Sequence, residues 1–109
     1  MALVIYMLHK CKVCMQREEI HEEISSILRT MGIDTLGIHF GQMDNGNYYP
    51  LSRHDSLCRK QGDNSVYVAP NYIYEDGNNI VKLPDISAYP SAQAYAQYVL
   101  SVAQQLQQQ

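Results

Sequence analysis

Two cysteines separated by two residues, Cys11 and Cys14, are the side chains of this 109-residue chain whose type and spacing suit covalent chemistry. They follow an apolar run over residues 2–8 and precede a strongly helical stretch. A thiolate is the attacking species in disulfide exchange, and the N–H groups and dipole at a helix start favour the anion. We therefore predict that Cys11 is the nucleophile. Cys14, one helical turn later on the same face, is predicted to be the resolving thiol.

Positive charge lies next to the first cysteine in the sequence. Lys10 and Lys12 flank Cys11 directly, and His9 adds a further cation when it is protonated. Cations beside a sulfur stabilise its anionic form. We assign both lysines to the predicted substrate-binding surface, where they would also favour the thiolate.

The Cys-x-x-Cys spacing also fits half of a zinc site, which is the main alternative for this motif. Zinc ribbons carry a second pair of cysteines or histidines, and the sequence shows none. We therefore favour the dithiol and expect no metal, with Cys58 predicted to be a small buried apolar residue. The ligands that a zinc site would have to add to the motif are Cys58 and one of His9, His21, His39 and His54.

Composition argues against several classes of protein. The formal net charge is -3 and the 8 Lys and Arg residues form no basic stripe, so we expect no nucleic-acid partner. No basic segment precedes the short N-terminal apolar run, so we expect neither an export signal nor a membrane association. An odd count of 3 cysteines favours a reducing compartment, and we expect a cytoplasmic protein. The length predicts one domain over 1–109 with a frayed tail at about 105–109.

The elements that must position the dithiol are a strand before it and a helix after it. Residues 2–8 are nearly all apolar, which is typical of a central strand covered on both faces. An amphipathic helix is predicted over 12–31, because apolar residues recur there at helical spacing. Gly32 is placed to cap this helix in a left-handed conformation. A second strand is predicted over 33–40.

The second half of the chain is predicted to hold a turn-rich loop, a short helix, a hairpin and a closing helix. The loop covers 41–47, and the short helix follows it. Asp76 and Gly77 separate two apolar runs, which is a strong signal for a β-hairpin. The last helix is predicted to begin at Ser91, a plausible N-cap.

This order of elements resembles the thioredoxin fold over nearly the whole chain. The resemblance is carried by the cysteine motif and by the segment Val68-Ala69-Pro70, which is similar to the family's cis-proline element before a strand. The chain is more similar to glutaredoxins and to the small redoxins that reduce ribonucleotide reductase than to thioredoxin itself. The resemblance implies an α/β, thioredoxin-like fold with a central mixed four-stranded sheet, in the order β-α-β-α-β-β-α, flanked by helices.

The resemblance also implies roles for Ala69 and Pro70. In the family, the proline has a cis peptide bond and faces the dithiol, and the backbone of the preceding residue hydrogen-bonds to a substrate chain as an added strand. Pro70 and Ala69 would fill these two roles here. Taken alone, a proline at this place also fits the simple start of a strand, where a missing N–H is tolerated.

The expected function is that of an enzyme, a dithiol–disulfide oxidoreductase of glutaredoxin or redoxin type that reduces protein disulfides through Cys11 and Cys14. By resemblance, ribonucleotide reductase is among the expected substrates, and glutathione or a thioredoxin-reductase-like enzyme recharges the dithiol. No tightly bound cofactor is expected, with glutathione as the co-substrate. Pro84-Asp85-Ile86-Ser87 lies where glutaredoxins carry the Gly-Gly and acidic residues that help to hold glutathione, without matching that pattern.

A second class of function stays open from the sequence. Tyr48 and Tyr49 lie in a loop over 41–50 that is longer than the minimal family pattern. This loop and the predicted hairpin could form the surface of a redox-inactive binding module, an adaptor or an inhibitor, whose cysteines are vestigial or structural. The change Cys11→Ser separates the two classes, because an adaptor keeps its partner and an enzyme loses turnover.

Overall fold

A computed structural model describes most of the chain, over residues 1–7, 11–39, 41–42, 48–49, 52–58, 60–61 and 66–108. The helices and strands are, in chain order, β1 (Ala2–Met7), α1 (Lys12–Gln16), α2 (Glu18–Thr30), β2 (Asp34–His39), β3 (Gly41–Gln42), β4 (Tyr48–Tyr49), β5 (Lys60–Gln61), β6 (Val66–Tyr67), β7 (Asn71–Asp76), β8 (Asn79–Leu83) and α3 (Ala92–Gln107). Two short 3-10 helices, Ser52–Leu57 and Ile86–Ala88, complete the order.

A four-stranded mixed sheet forms the centre of the structure, with the strands side by side in the order β2-β1-β7-β8. β1 runs parallel to β2 and antiparallel to β7, and β7 and β8 form an antiparallel hairpin. The inner residues of β1 are buried, as the apolar run predicts for a central strand. The expected α/β architecture with a mixed four-stranded sheet is therefore confirmed.

Hydrophobic residues pack on both faces of this sheet, because successive side chains of a strand point to opposite sides. On the first face, Leu3 and Ile5 of β1 pack with residues of helices α2 and α3 such as Leu28 and Val99. On the second face, a smaller cluster lies under the 3-10 helix at 52–57. Its residues are Val4, Tyr6, Cys58 and Ile73, with Leu57 and Ile80 packed against them.

The helix predicted over 12–31 is divided at Arg17 into α1 and α2. The backbone hydrogen bonds continue through the break, because Arg17 N donates to Val13 O at 3.1 Å and His21 N donates to Arg17 O at 2.8 Å. The break is therefore a local change of backbone angle between two stacked helical pieces. The sequence offers no glycine or proline at this point that would have predicted it.

Two capping predictions are confirmed. Gly32 has a φ of 79°, and the bonds from Gly32 N to Arg29 O (3.2 Å) and from Ile33 N to Leu28 O (3.0 Å) form a Schellman motif after α2. Ser91 Oγ accepts from Ala94 N at 3.1 Å and caps α3. That helix continues to Gln107, into the tail that the sequence predicted to fray.

The hairpin of β7 and β8 forms where the sequence predicts it, with a displacement of its turn by one residue. Asp76 still belongs to β7 and pairs with Asn79, so Gly77 and Asn78 make the turn. Gly77 has a φ of 61°, a conformation that side chains with a Cβ atom rarely adopt. This requirement explains why a glycine stands there.

The middle of the chain differs from the sequence prediction in two ways. The short second helix is a 3-10 helix over Ser52–Leu57. Two short antiparallel ribbons are also present: β3, at the start of the predicted loop, pairs with β4, and β5, after the 3-10 helix, pairs with β6. Strands of two residues are too short to show an alternating pattern in the sequence. Residues 43–47, 50–51, 59 and 62–65 lie outside the described residues.

The 3-10 helix is attached to the second face of the sheet by a buried histidine. His54 is fully buried, its Nδ1 contacts the hydroxyl of Tyr6, and its Nε2 lies 2.9 Å from Glu75 Oε2. Lys82 Nζ donates to the carbonyl oxygen of Leu57. These polar contacts hold the segment over the smaller cluster. Among the described helices, none combines the length and the apolar character that a membrane span requires.

Candidate redox site

The two cysteines of the motif are brought together at the start of α1. Their sulfur atoms form a close pair, and their Cα atoms are 5.2 Å apart, within the range that a disulfide needs. Cys11 is the N-cap residue of α1, and its sulfur accepts a hydrogen bond from Cys14 N at 3.1 Å. An N–H group aimed at the sulfur stabilises negative charge there. The geometry therefore agrees with the predicted roles of nucleophile and resolving thiol.

The two sulfur-bearing residues differ in their exposure to solvent. Cys11 is partly exposed, whereas Cys14 is only 6% exposed. Cys11 is therefore the more accessible residue of the pair. Lys12, the first residue of α1, is exposed beside them. Lys10 and His9, the other two cations expected here, lie outside the described residues.

The predicted cis proline is present. The peptide bond between Ala69 and Pro70 is cis. Pro70 is buried and Ala69 is partly buried. In the sheet, Tyr6 pairs with Asn71, so Pro70 lies at the end of the sheet at which β1 ends. Cys11 follows the last residue of β1 by four positions in the sequence.

A small open cleft adjoins the cis proline between β7 and β8. It contains the segment Pro84–Asp85, which the sequence analysis placed where glutaredoxins hold glutathione. Lys82 Nζ, held 3.3 Å from Asn71 Oδ1, contributes a cation. The residues that line the cleft are Pro70, Asn71, Tyr72, Lys82, Leu83, Pro84 and Asp85.

A polar network that the sequence did not predict joins the helix after the dithiol to this cleft. Arg17 Nη1 lies 2.8 Å from Asp85 Oδ1 and 3.5 Å from the hydroxyl oxygen of Tyr72. The same hydroxyl lies 2.7 Å from His21 Nε2. Arg17 and His21 follow Cys14 by three and seven residues, a spacing that places all three on one face of a helix. This spacing is the feature of the sequence from which their proximity could have been predicted.

Burial and charge set the protonation of this network. Burial, and after it the charge of Arg17, lowers the pKa of His21 from 6.5 to about 4, so the ring is neutral at pH 7. A neutral ring accepts the Tyr72 hydroxyl proton at Nε2 when its Nδ1 is protonated. Burial would raise the pKa of Asp85, but hydrogen bonds from Ser87 and Arg17 outweigh it and lower the pKa. The acid is therefore ionised and paired at neutral pH.

The residues of the zinc alternative do not come together where the structure describes them. Cys58 is buried on the second face of the sheet, and His54 is held there by Tyr6 and Glu75. His21 contacts Tyr72 on the first face. Over the described ranges, no three His, Cys, Asp or Glu side chains form a group that could hold a metal ion. His9 and the side chain of His39 lie outside those ranges.

Comparison with known proteins identifies no relative. No protein-family model matches the chain, and no significant match is found among curated proteins or among solved structures. The chemistry of the site is therefore inferred from its own residues and geometry.

Proposed function

We propose that this protein is a thiol–disulfide oxidoreductase with a thioredoxin-like fold, which reduces protein disulfides through Cys11 and Cys14. The observation that carries the proposal is the close pair of sulfurs at a helix start, with one residue accessible and the other buried. The strand order, the parallel pairing of β1 with β2 and the cis bond before Pro70 support the thioredoxin-like assignment.

The reaction takes place in two exchange steps. The Cys11 thiolate attacks one sulfur of the substrate disulfide, which forms a mixed disulfide and releases the other substrate sulfur as a thiolate. Cys14 loses its proton and attacks the Cys11 sulfur, which closes the Cys11–Cys14 disulfide and releases the second substrate thiolate. Two electrons pass from the dithiol to the substrate. The burial of Cys14 keeps it from reacting with an external disulfide, so that it stays available for the second step.

Backbone groups near the cis proline are the proposed binding site for the substrate chain. A substrate segment that pairs with the backbone of Ala69 as an added strand would lie at the sheet end to which Cys11 belongs. Pro70 fixes the direction of that backbone. Lys12, and Lys10 before the motif, would add positive charge around the reacting sulfurs.

The electron donor and the cell compartment belong to the same proposal. Glutathione, or a thioredoxin-reductase-like enzyme, would restore the dithiol after each turnover, with no tightly bound cofactor. The protein would act in the cytoplasm, where thiols are kept reduced, and ribonucleotide reductase belongs to the proposed substrate class.

The decisive experiment is insulin reduction driven by dithiothreitol, combined with trapping. The unmodified protein should accelerate insulin reduction, Cys11→Ser should abolish the acceleration, and Cys14→Ser should accumulate a mixed disulfide with insulin that mass spectrometry detects. Cys58→Ser serves as the matched control and should keep full activity, because Cys58 lies on the other face of the sheet.

Failure of the unmodified protein to accelerate reduction, together with failure of Cys14→Ser to trap a mixed disulfide, would contradict the proposal. A Cys11→Ser variant that keeps partner binding and the biological effect would instead support the redox-inactive binding module. In that case the ribbon of β3 and β4, which includes Tyr48 and Tyr49, and the hairpin of β7 and β8 would be the surfaces to test.

A further inference from the structure

Two large apolar side chains are exposed beside the reactive sulfur. Val13 lies between the cysteines and is 41% exposed, and Met15 follows Cys14 and is 60% exposed. Neither packs into the two hydrophobic clusters formed by the described residues. Within the same residues, the other exposed large apolar side chains are Met1 and Leu36. The dithiol helix therefore presents apolar surface that the fold does not use.

A partner that exchanges a disulfide with Cys11 comes close to part of this surface, because a substrate sulfur has to approach the Cys11 sulfur to bonding distance. Met15 N donates to Cys11 O at 3.0 Å, so Met15 lies about one helical turn, roughly 6 Å of rise, after Cys11 and on the same face. Val13, two residues after Cys11, lies on a different face of the helix. Apolar surface that loses its water on contact favours a partner with an apolar group at the same place.

The surface that follows along the helix is acidic. Glu18 and Glu19 stand in the first turn of α2, Glu22 and Glu23 follow one turn later, and all four are exposed. Negative charge here attracts a basic partner and repels an anionic one. Oxidised glutathione carries several carboxylates and no apolar side chain, so it matches neither the apolar pair nor the acidic surface.

We propose that the exposed side chain of Met15, which lies one helical turn after Cys11 on the same face, forms a substrate-selecting patch. This patch favours protein disulfides with an apolar side chain next to the half-cystine and basic residues farther along the chain. The proposal rests on the proposed reductase function and adds the class of substrate. Met15 is the specificity-determining residue, because it is more exposed than Val13 and lies on the same face as Cys11.

The test uses single-turnover reduction of three disulfides by the fully reduced protein. Two are disulfide-linked peptide dimers that share two lysines and differ only in the residue after cysteine, leucine in one and serine in the other. The third is oxidised glutathione. Reactions are quenched with N-ethylmaleimide, and the second-order rate constants are obtained by mass spectrometry.

The unmodified protein should reduce the leucine peptide about fivefold faster than the serine peptide, the size expected when binding covers part of one apolar side chain. Met15→Ser should remove this preference and leave the rate with oxidised glutathione within about twofold. Val13→Ser changes an exposed apolar residue on a different face of the same helix and should keep the preference. Leu36→Ser replaces an apolar residue of comparable exposure on β2, 49% against 60% for Met15, and should change none of the three rates.

Equal rates of the unmodified protein with the two peptides would overturn the patch and leave the reductase function intact. So would a Met15→Ser variant that slows all three disulfides alike, since that result indicates damage to the dithiol. Reduction of none of the three disulfides would overturn the proposed function itself. Met15 is exposed, so its replacement should not impair folding, which circular dichroism checks.

A second comparison tests the charge requirement. A leucine peptide with glutamates in place of the lysines should react several-fold more slowly at low ionic strength, and the difference should shrink as salt screens the charges. The double variant Glu18→Gln/Glu19→Gln should reduce the difference. Equal rates for the lysine and glutamate peptides would show that the substrate needs no basic residues. The proposed substrate class would then be defined by the apolar residue alone.

Discussion

His21 Nε2 and the hydroxyl oxygen of Tyr72 lie 2.7 Å apart, and this contact joins α2 to β7. α2 continues the helix on which Cys14 lies, and β7 begins directly after Pro70. One buried hydrogen bond thus connects the two parts of the proposed site.

The change Tyr72→Phe should destabilise the fold. It removes the hydroxyl and leaves the buried His21 Nε2 without its partner, so we expect the free energy of unfolding to fall by about 1–3 kcal/mol. Urea denaturation measures the change, and its m value should stay constant. Tyr98→Phe is the control, because the Tyr98 ring also packs against Tyr95 but is partly exposed. If Tyr72→Phe lowers the free energy of unfolding no more than this control does, the hydrogen bond between His21 and Tyr72 does not stabilise the fold.

Acid should destabilise the protein through His21. Its pKa is lowered from 6.5 to about 4 in the fold, so between these pH values the unfolded chain binds a proton that the folded chain does not. The free energy of unfolding should therefore fall as the pH drops from about 6.5 to about 4, and this contribution should be flat above that window. Urea unfolding at several pH values measures the slope.

The variant His21→Gln isolates this effect, because its amide forms hydrogen bonds without titrating. It should lose the His21 part of the slope. Asp85 makes a separate contribution to the pH dependence. Its pKa is lower in the folded protein than the ordinary 3.8, so its contribution to the free energy of unfolding is present above about pH 3.8 and is lost as the pH falls through the pKa of the folded state. An unchanged slope between pH 6.5 and 4 in His21→Gln would show that another group is responsible.

The ion pair of Arg17 and Asp85 should contribute little to stability. The charged atoms are 2.8 Å apart, but the side chains are 20% and 27% exposed, so water and salt screen the attraction. A double-mutant cycle of Arg17→Gln and Asp85→Asn should give a coupling below about 1 kcal/mol that decreases with salt. The cycle is needed because Asp85 also accepts from Ser87 N. A coupling of several kcal/mol would indicate a well-desolvated pair.

The three thiols of the reduced protein should react in the order of their exposure. Cys11 is partly exposed, whereas Cys14 and Cys58 are 6% and 7% exposed. Iodoacetamide should modify one equivalent rapidly, and peptide mass mapping should locate it at Cys11. Cys58 should react only after denaturant is added. Rapid labelling of Cys58 in the native protein would contradict the packing of the 3-10 helix on the sheet.

Local signals explain the parts of the fold that could be predicted from the sequence. Three such predictions are confirmed: the strand at the apolar run of β1, the helix end at Gly32 and the helix start at Ser91. Each depends on residues that are close together in the sequence. The close pairing of Cys11 and Cys14 and the cis bond before Pro70 are also confirmed, and the cis bond was expected from the resemblance to the thioredoxin fold. Information of this kind lies within a few residues.

Contacts between distant residues explain what could not be predicted. His21 and Tyr72 are 51 residues apart in the chain, and Tyr6 and His54 are 48 apart. No periodicity marks such pairs, because each forms only after the helices have packed on the sheet. The break at Arg17 is of the same kind, as its side chain reaches across to Asp85. Single histidines and arginines in the sequence carry no sign of these partners.

Strand β1 is bordered by β2 on one side and by β7 on the other, and its residues Leu3 to Tyr6 are at most 2% exposed. Its amide protons should consequently be among the slowest to exchange with deuterated water, since they are hydrogen-bonded to a strand on either side and the strand is buried on both faces. The peripheral strands β2 and β8 can fray on their own. Fraying of β2 or β8 alone would thus leave β1, the strand that precedes the cysteine motif, in the sheet. A molecule partly unfolded in this way would still present the sulfurs of Cys11 and Cys14.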